Sequence, residues 1–191
     1  MEIITGILSA FGLSASAGLN AYIPLLVVAL LARFTDLIRL SSPWDGLTNG
    51  WIIALLVVLS LIEFFADKIP AVNHINDVIQ TFVRPTAGAI VFAASAQVLT
   101  EINPILSLGA GLLVAGGVHA VKSLAIRPVV TATTAGIGDV PVSMAEDIVS
   151  TVLSILSIVL PVLVLVLVII IMAWFMSRRQ RRENQSRMLK P

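Results

Sequence analysis

No charged side chain falls between Ile148 and Met176. About 20 consecutive apolar residues, rising ~1.5 Å each as a helix, cross the hydrocarbon core of a bilayer. In lipid every backbone N–H and C=O must find its partner inside the segment, so such a run is helical. Four further apolar runs precede it: Ile3 to about Ala32, Trp51 to about Pro70, Pro85 to about Thr100, and Ile105 to Ile126. The expected fold class is therefore all-α: a polytopic integral membrane helical bundle of about five transmembrane helices. A mean hydropathy of +1.01 excludes an ordinary soluble protein. A net charge of +1 provides no field for nucleic acid. With no cysteine, thiolate catalysis and Cys-based metal sites are also excluded. The N-terminal run lacks the basic flank of a secretory signal and is too long for one, so it reads as a retained membrane segment. Residues 1–177 then form one transmembrane domain, and residues 178–191 a basic tail.

Charge is scarce in such a chain, so its placement is informative. Glu63, Asp67, Lys68, Asp77 and Arg84 all fall in EFFADKIPAVNHINDVIQTFVRP, residues 63–85. Glu63 and Asp67 are four apart, on one helical face. Glu63 lies about 10 Å of helix before Pro70, at membrane depth. A carboxylate there is costly and marks either a functional site or a buried structural acid paired with Lys68, Arg84 or another helix. Val72, Ile75, Ile79 and Phe82 recur at helical spacing opposite Asn73, Asp77, Gln80 and Arg84, which predicts a short amphipathic helix over 71–83 with Asn73 as its N-cap. Pro85 then suits the first turn of the third span. That span is short and rich in alanine, and should pack tightly inside the bundle.

Elsewhere, Ser14, Ser16, Ala17, Gly18, Asn20 and Pro24 offer a break inside the first segment. Asn20 there either lines a site or sits in a kinked helix packed through small residues. In the fourth segment Gly109, Gly116, Ala120 and Ser123 form a small-residue stripe. His119 and Lys122 share a face there, with Arg127 two turns beyond His119. A lone histidine is usually a hydrogen-bonded core residue, but here it has cationic neighbours at membrane depth. Residues 128–147, PVVTATTAGIGDVPVSMAED, read as a loop, either re-entrant or on the surface. The last segment reads as the most lipid-exposed, and Trp174 marks its interface.

Five spans place the termini on opposite sides. Arg33, Arg39, Arg178, Arg179, Arg181, Arg182, Arg187 and Lys190 fall on one side, and Lys68, Arg84, Lys122 and Arg127 on the other. The positive-inside rule gives a multi-pass protein of the cell (inner) membrane with its N-terminus outside and its C-terminus cytoplasmic. Gly18-Leu-Asn-Ala21 echoes Gly117-Val-His-Ala120, which suggests an inverted repeat of the transporter kind.

AGLNAYIPLL at 17–26, EFFADKIPAVNHINDVIQTFVRPTAGA at 63–89, HAVKSLAIRP at 119–128 and AED at 145–147 together resemble the bacterial and plastid-related membrane family known as domain of unknown function 4126. The likeness covers most of the chain except the tail. It implies a small polytopic helical protein and carries no established activity. Where the family has an Asn-containing loop before the last acidic pair, this chain has Gly138-Asp139-Val140, which weakens any role for Asp139.

The expected function is transport: a permease or lipid-headgroup flippase for an anionic or polar substrate, coupled to protons and working as a homodimer in the bilayer. Asn20, Glu63, Asp67, Asp77, Arg84, His119, Lys122 and Arg127 are the expected substrate-binding residues. Carboxylates would carry protons, and the cations with His119 would neutralise an anionic group. No catalytic residue, cofactor or metal is assigned. A non-catalytic assembly or scaffold protein is the alternative. Gly136-Ile-Gly-Asp139 also spells the GxGD of intramembrane aspartyl proteases, whose two aspartates share a proton. No HExxH, GxSxG or phosphate-loop pattern occurs.

Overall fold

The computed structural model describes residues 2–96, 101, 103–163, 166, 170 and 174, and for residues 2–3, 70–75 and 77 the backbone alone. Among the described residues the fold is all-α. The helices are α1 (Glu2–Leu19), α2 (Tyr22–Phe34), α3 (Gly50–Ala66), α4 (Pro70–Ser95), α5 (Pro104–Val121), α6 (Arg127–Thr134) and α7 (Asp139–Val159). A 3-10 turn at Trp44–Thr48 leads into α3, and a π-helical turn at Lys122–Ile126 joins α5 to α6. Three stretches are long and apolar enough to cross a membrane: Val78–Ser95, Pro104–Thr134 and Asp139–Val159. The apolar helices Ile4–Leu19, Tyr22–Phe34 and Gly50–Ala66 are shorter.

The distribution of polarity is that of a membrane protein. Trp51, Leu113 and Leu124 are 86%, 73% and 79% exposed, whereas Glu63 and Arg84 are 1% and 0% exposed. Water would reverse this arrangement, and hydrocarbon favours it.

α1 is the central helix and packs on α4, α5 and α7. α1, α4 and α5 meet where small residues admit a close backbone approach. A Cβ placed on Gly18 would meet Ala115 O at 2.5 Å, one on Gly88 would strike Ala115 Cβ, and one on Gly111 would strike Gly88 O. Ser14 Oγ lies 2.7 Å from Gly111 O and 3.2 Å from Gly88 O, so the crossing carries a polar clasp. The buried face of α5 is therefore Ser107, Gly111, Ala115 and His119. The stripe through Gly109 and Gly116 expected from sequence is off this face: nothing lies within 4 Å of a Cβ on Gly109, and Gly116 only touches Pro85.

The first apolar run is not one crossing. Thr5 and Gly6 of α1 line the same cavity as Asp36 to Arg39, which follow α2. The chain therefore reverses at Asn20 and returns to the end where it began. Asn20 Oδ1 accepts from Tyr22 N and Ile23 N, each at 3.1 Å, and so starts a new helix instead of kinking the old one. Pro24 sits in the first turn of α2, where its missing N–H costs nothing.

This added reversal changes the expected internal symmetry. Ser14 meets Gly111 and Leu19 meets Lys122, so α1 and α5 run in the same direction. The echo between 18–21 and 117–120 is therefore not an inverted pair.

Three further expectations are corrected. The amphipathic helix and the third span are one continuous α4, with Pro70 at its first turn and Pro85 in its interior, so Asn73 is not its N-cap. Residues 128–147 are not a loop. Thr133 Oγ1 and Thr134 Oγ1 donate to Val129 O and Val130 O, keeping 127–134 helical. Ala135 at φ 51° and Gly136 at φ 84° turn the chain, and α7 already begins at Asp139. Nor does α7 continue through the whole apolar run. It stops at Leu160, which precedes Pro161 and leaves the helical conformation. Beyond residue 163 only the single positions named above belong to the described residues, and the tail at 178–191 lies outside them.

Candidate functional site: a buried ionic chain

The site grows from the reversal at Asn20. A helix end leaves unsatisfied backbone groups, which are costly where water is absent. Here side chains supply the partners. Lys122 Nζ donates to Leu19 O at 3.1 Å, covering the C-terminus of α1. Asn20 covers the N-terminus of α2 and directs its Nδ2 to Asp147 Oδ1 at 3.0 Å.

From these groups the ionic chain extends across four helices. Lys122 Nζ is 2.6 Å from Glu146 Oε2, which also faces Arg127 Nη2 at 3.6 Å. Arg127 Nη2 lies 3.4 Å from Asp67 Oδ2, and Asp67 Oδ2 lies 3.7 Å from Arg84 Nη2. Arg84 Nη2 donates to Glu63 Oε1 at 2.9 Å. Lys68 Nζ faces Asp147 Oδ2 at 3.5 Å. Glu63, Asp67, Glu146 and Asp147 thus oppose Lys68, Arg84, Lys122 and Arg127, and the formal charges balance. Balance keeps such a cluster tolerable at low dielectric.

Neutral groups complete the coordination. Asn76 Nδ2 donates to Asp67 Oδ1 at 2.6 Å and Ser143 Oγ to Asp67 Oδ2 at 3.2 Å. Arg84 Nη1 is 3.4 Å from His119 Nδ1, and Thr81 Oγ1 is 3.3 Å from His119 Nε2. A guanidinium only donates, so His119 Nδ1 accepts and the ring proton sits on Nε2. Glu63 Oε2, Arg84 Nε and Gln80 Oε1 are buried with no hydrogen-bond partner among the described residues. Glu63 Oε2 and Arg84 Nε leave acceptor and donor capacity inside the cluster.

Of the residues singled out from sequence, Asn20, Glu63, Asp67, Arg84, His119, Lys122 and Arg127 meet in this one chain. The side chain of Asp77 lies outside the described residues. Glu146 and Asp147 were missed as members, because the Thr- and Gly-rich stretch before them disguised the start of α7. The signal was present in α7, where Ser143, Ser150, Ser154 and Ser157 repeat at helical spacing and are all buried. Ser16 Oγ lies 2.8 Å from Ser150 Oγ and 2.7 Å from Ser154 Oγ, so α7 turns a polar face to α1. That stretch therefore has a protein-facing side and is not simply lipid-exposed. Asp139, by contrast, accepts from Thr131 Oγ1 at 2.8 Å in an exposed position. Among the described residues no group of three or more His, Asp or Glu is arranged to hold a metal ion.

The family described as Domain of unknown function (DUF4126) matches residues 7–180. No curated protein and no solved structure matches the chain.

Proposed function

This chain belongs to the family described as Domain of unknown function (DUF4126), and we propose that it is a small membrane permease or headgroup flippase for an anionic or polar substrate, coupled to protons. One observation carries the reading. Two broken helix ends, at Leu19 and Asn20, meet a buried and charge-balanced cluster. Discontinuous helices whose ends face ionisable side chains are how transporters bind ions and polar groups away from water. In this reading an anionic group competes with Glu63 and Glu146 for Arg84, Arg127 and Lys122. The displaced carboxylates take up protons, which supplies the coupling.

The orientation we propose puts the ionic chain toward the cytoplasm, because Lys68, Arg84, Lys122 and Arg127 gather at that end and Arg33 and Arg39 at the other. The N-terminus then lies outside, and a cytoplasmic tail requires one further crossing between Pro161, at the cavity end, and residue 178. The protease reading finds no support, since Asp67 pairs with Arg127 and Asp139 with Thr131.

A second reading has its own observation: every charge in the cluster has an opposite partner, as buried glue in a scaffold would. Flux separates the two. Purified protein in liposomes should move inorganic phosphate or a short-chain anionic lipid faster under an imposed pH gradient. Glu63→Gln should stop that movement. Correctly inserted protein that moves neither probe would leave the scaffold reading standing.

A further inference from the structure

At the end of the bundle opposite Asn20 lies a cavity of about 640 Å³, formed by the start of α1, the loop after α2 and the end of α4. Its size suits a small ligand, for which sites run to roughly 300–1,000 Å³. Hydroxyls line it. Ser9 Oγ donates its proton to Thr5 O at 2.8 Å, which leaves its lone pairs available to accept. Ser95 Oγ is buried with no hydrogen-bond partner among the described residues, an arrangement that costs free energy unless something else meets it. The loop brings an acid, Asp36, and a base, Arg39, to the lining, and both are exposed. Ile158 adds an apolar wall, and Leu37 an exposed apolar rim.

We propose that this cavity binds a zwitterion, a molecule carrying an ammonium beside an anionic group, with an alkyl portion against Leu37 and Ile158. Asp36 and the Ser9 lone pairs suit the ammonium. Arg39 suits the anionic group, and Ser95 Oγ can serve either. Two charges of opposite sign at the lining of a hydroxylated pocket select a dipolar ligand over a simple anion or cation. The chemistry is shared by a zwitterionic phospholipid headgroup and by a free zwitterionic solute. The proposal does not rest on the permease reading, because a scaffold could carry the same site.

The test uses the full chain in phosphatidylglycerol nanodiscs, titrated by calorimetry with dihexanoyl phosphatidylethanolamine, with O-phosphoethanolamine and with dihexanoyl phosphatidylglycerol. Binding of the first two, or of either, with no binding of the third, is the expected result. A response to the lipid alone identifies a headgroup site, and one to the free compound alone a solute site. Asp36→Asn combined with Arg39→Gln should weaken binding about tenfold, a loss of ~1.4 kcal/mol. Both residues are exposed, so the variant should remain folded, which its melting curve checks. Ser9→Phe, which fills the cavity without touching its charges, should abolish binding. Failure of both zwitterions, equal binding of phosphatidylglycerol, or unchanged affinity in the charge variant would each overturn the proposal.

Discussion

Arg84 Nη2 lies 2.9 Å from Glu63 Oε1, and neither side chain reaches the outside of the bundle. The pair joins α3 to α4, and Arg84 extends the link to α5 through His119. An arginine and a glutamate at membrane depth are each costly alone, so the stability of either depends on the other.

The two halves of this pair should therefore respond differently to substitution. Glu63→Gln keeps an oxygen that accepts from Arg84, and Asp67 remains 3.7 Å away as counter-charge. We expect a small fall in melting temperature and loss of flux. Arg84→Ala leaves Glu63 buried without its cation, at a cost of about 3–5 kcal/mol. Glu63→Leu with Arg84→Met should recover most of that stability and none of the flux. Thermal melting in detergent and liposome flux on the same preparations check this. Flux that survives in the double variant would remove the pair from the transport mechanism.

Glu63, Arg84 and His119 could be picked out from sequence because a charge in an apolar run is rare and must find a partner. The break at Asn20 could also be read, since an amide and Pro24 interrupt an otherwise uniform helix. Its consequence could not. A kink and a full reversal carry the same residues, and only tertiary packing of α2 against α3 and α7 decides between them. Residues 128–147 misled for a related reason. Thr, Gly and Pro are loop-like in composition, yet Thr133 and Thr134 each bond a carbonyl four residues back. Pro128 and Pro141 both fall in first turns, where a missing N–H is harmless. Placing Asp147 in a loop separated it from Asn20, its partner across the bundle.

The helix crossing gives a second prediction, which discriminates between two faces of α5. Gly111→Ala drives a methyl into Gly88 O and should cost about 1–3 kcal/mol by overpacking. Gly117→Ala meets open space and should be neutral or slightly stabilising. Melting temperatures of the two purified variants decide it. The opposite ranking would show that α5 presents another face to α4.

The proposed orientation can be tested without removing any native cysteine, because the chain has none. Ser41→Cys lies at the cavity end and Ile137→Cys at the ionic end, both in exposed turns. An impermeant thiol reagent applied to intact cells should label the first and spare the second until the membrane is opened. The reverse pattern would invert the orientation. Labelling of both from outside would contradict the alternating course of the helices.

The reversal itself rests on Asn20, and its chemistry makes a sharper test than deletion. Its oxygen holds Tyr22 N and Ile23 N, and its amide nitrogen donates to Asp147 Oδ1. Asn20→Asp preserves both acceptor roles. It even places a negative charge at the N-terminus of α2, worth ~0.3–1 kcal/mol of favourable dipole interaction. It also sets one carboxylate against another at 3.0 Å, with the Lys68 ammonium 3.5 Å from Asp147. In a cluster whose charges balance, the repulsion should exceed the dipole gain, and the melting temperature should fall by several degrees. Adding Asp147→Asn should restore most of the loss, because the donor and acceptor exchange sides while the total charge returns to that of the native cluster. Lys68 keeps its bond to Phe64 O throughout. Asn20→Leu, which loses the acceptor as well as the donor, should not be rescued by Asp147→Asn. Rescue of the first variant and not of the second would tie the reversal to a specific hydrogen bond. Equal stability of Asn20→Asp and the native protein would show that the hairpin does not depend on this contact.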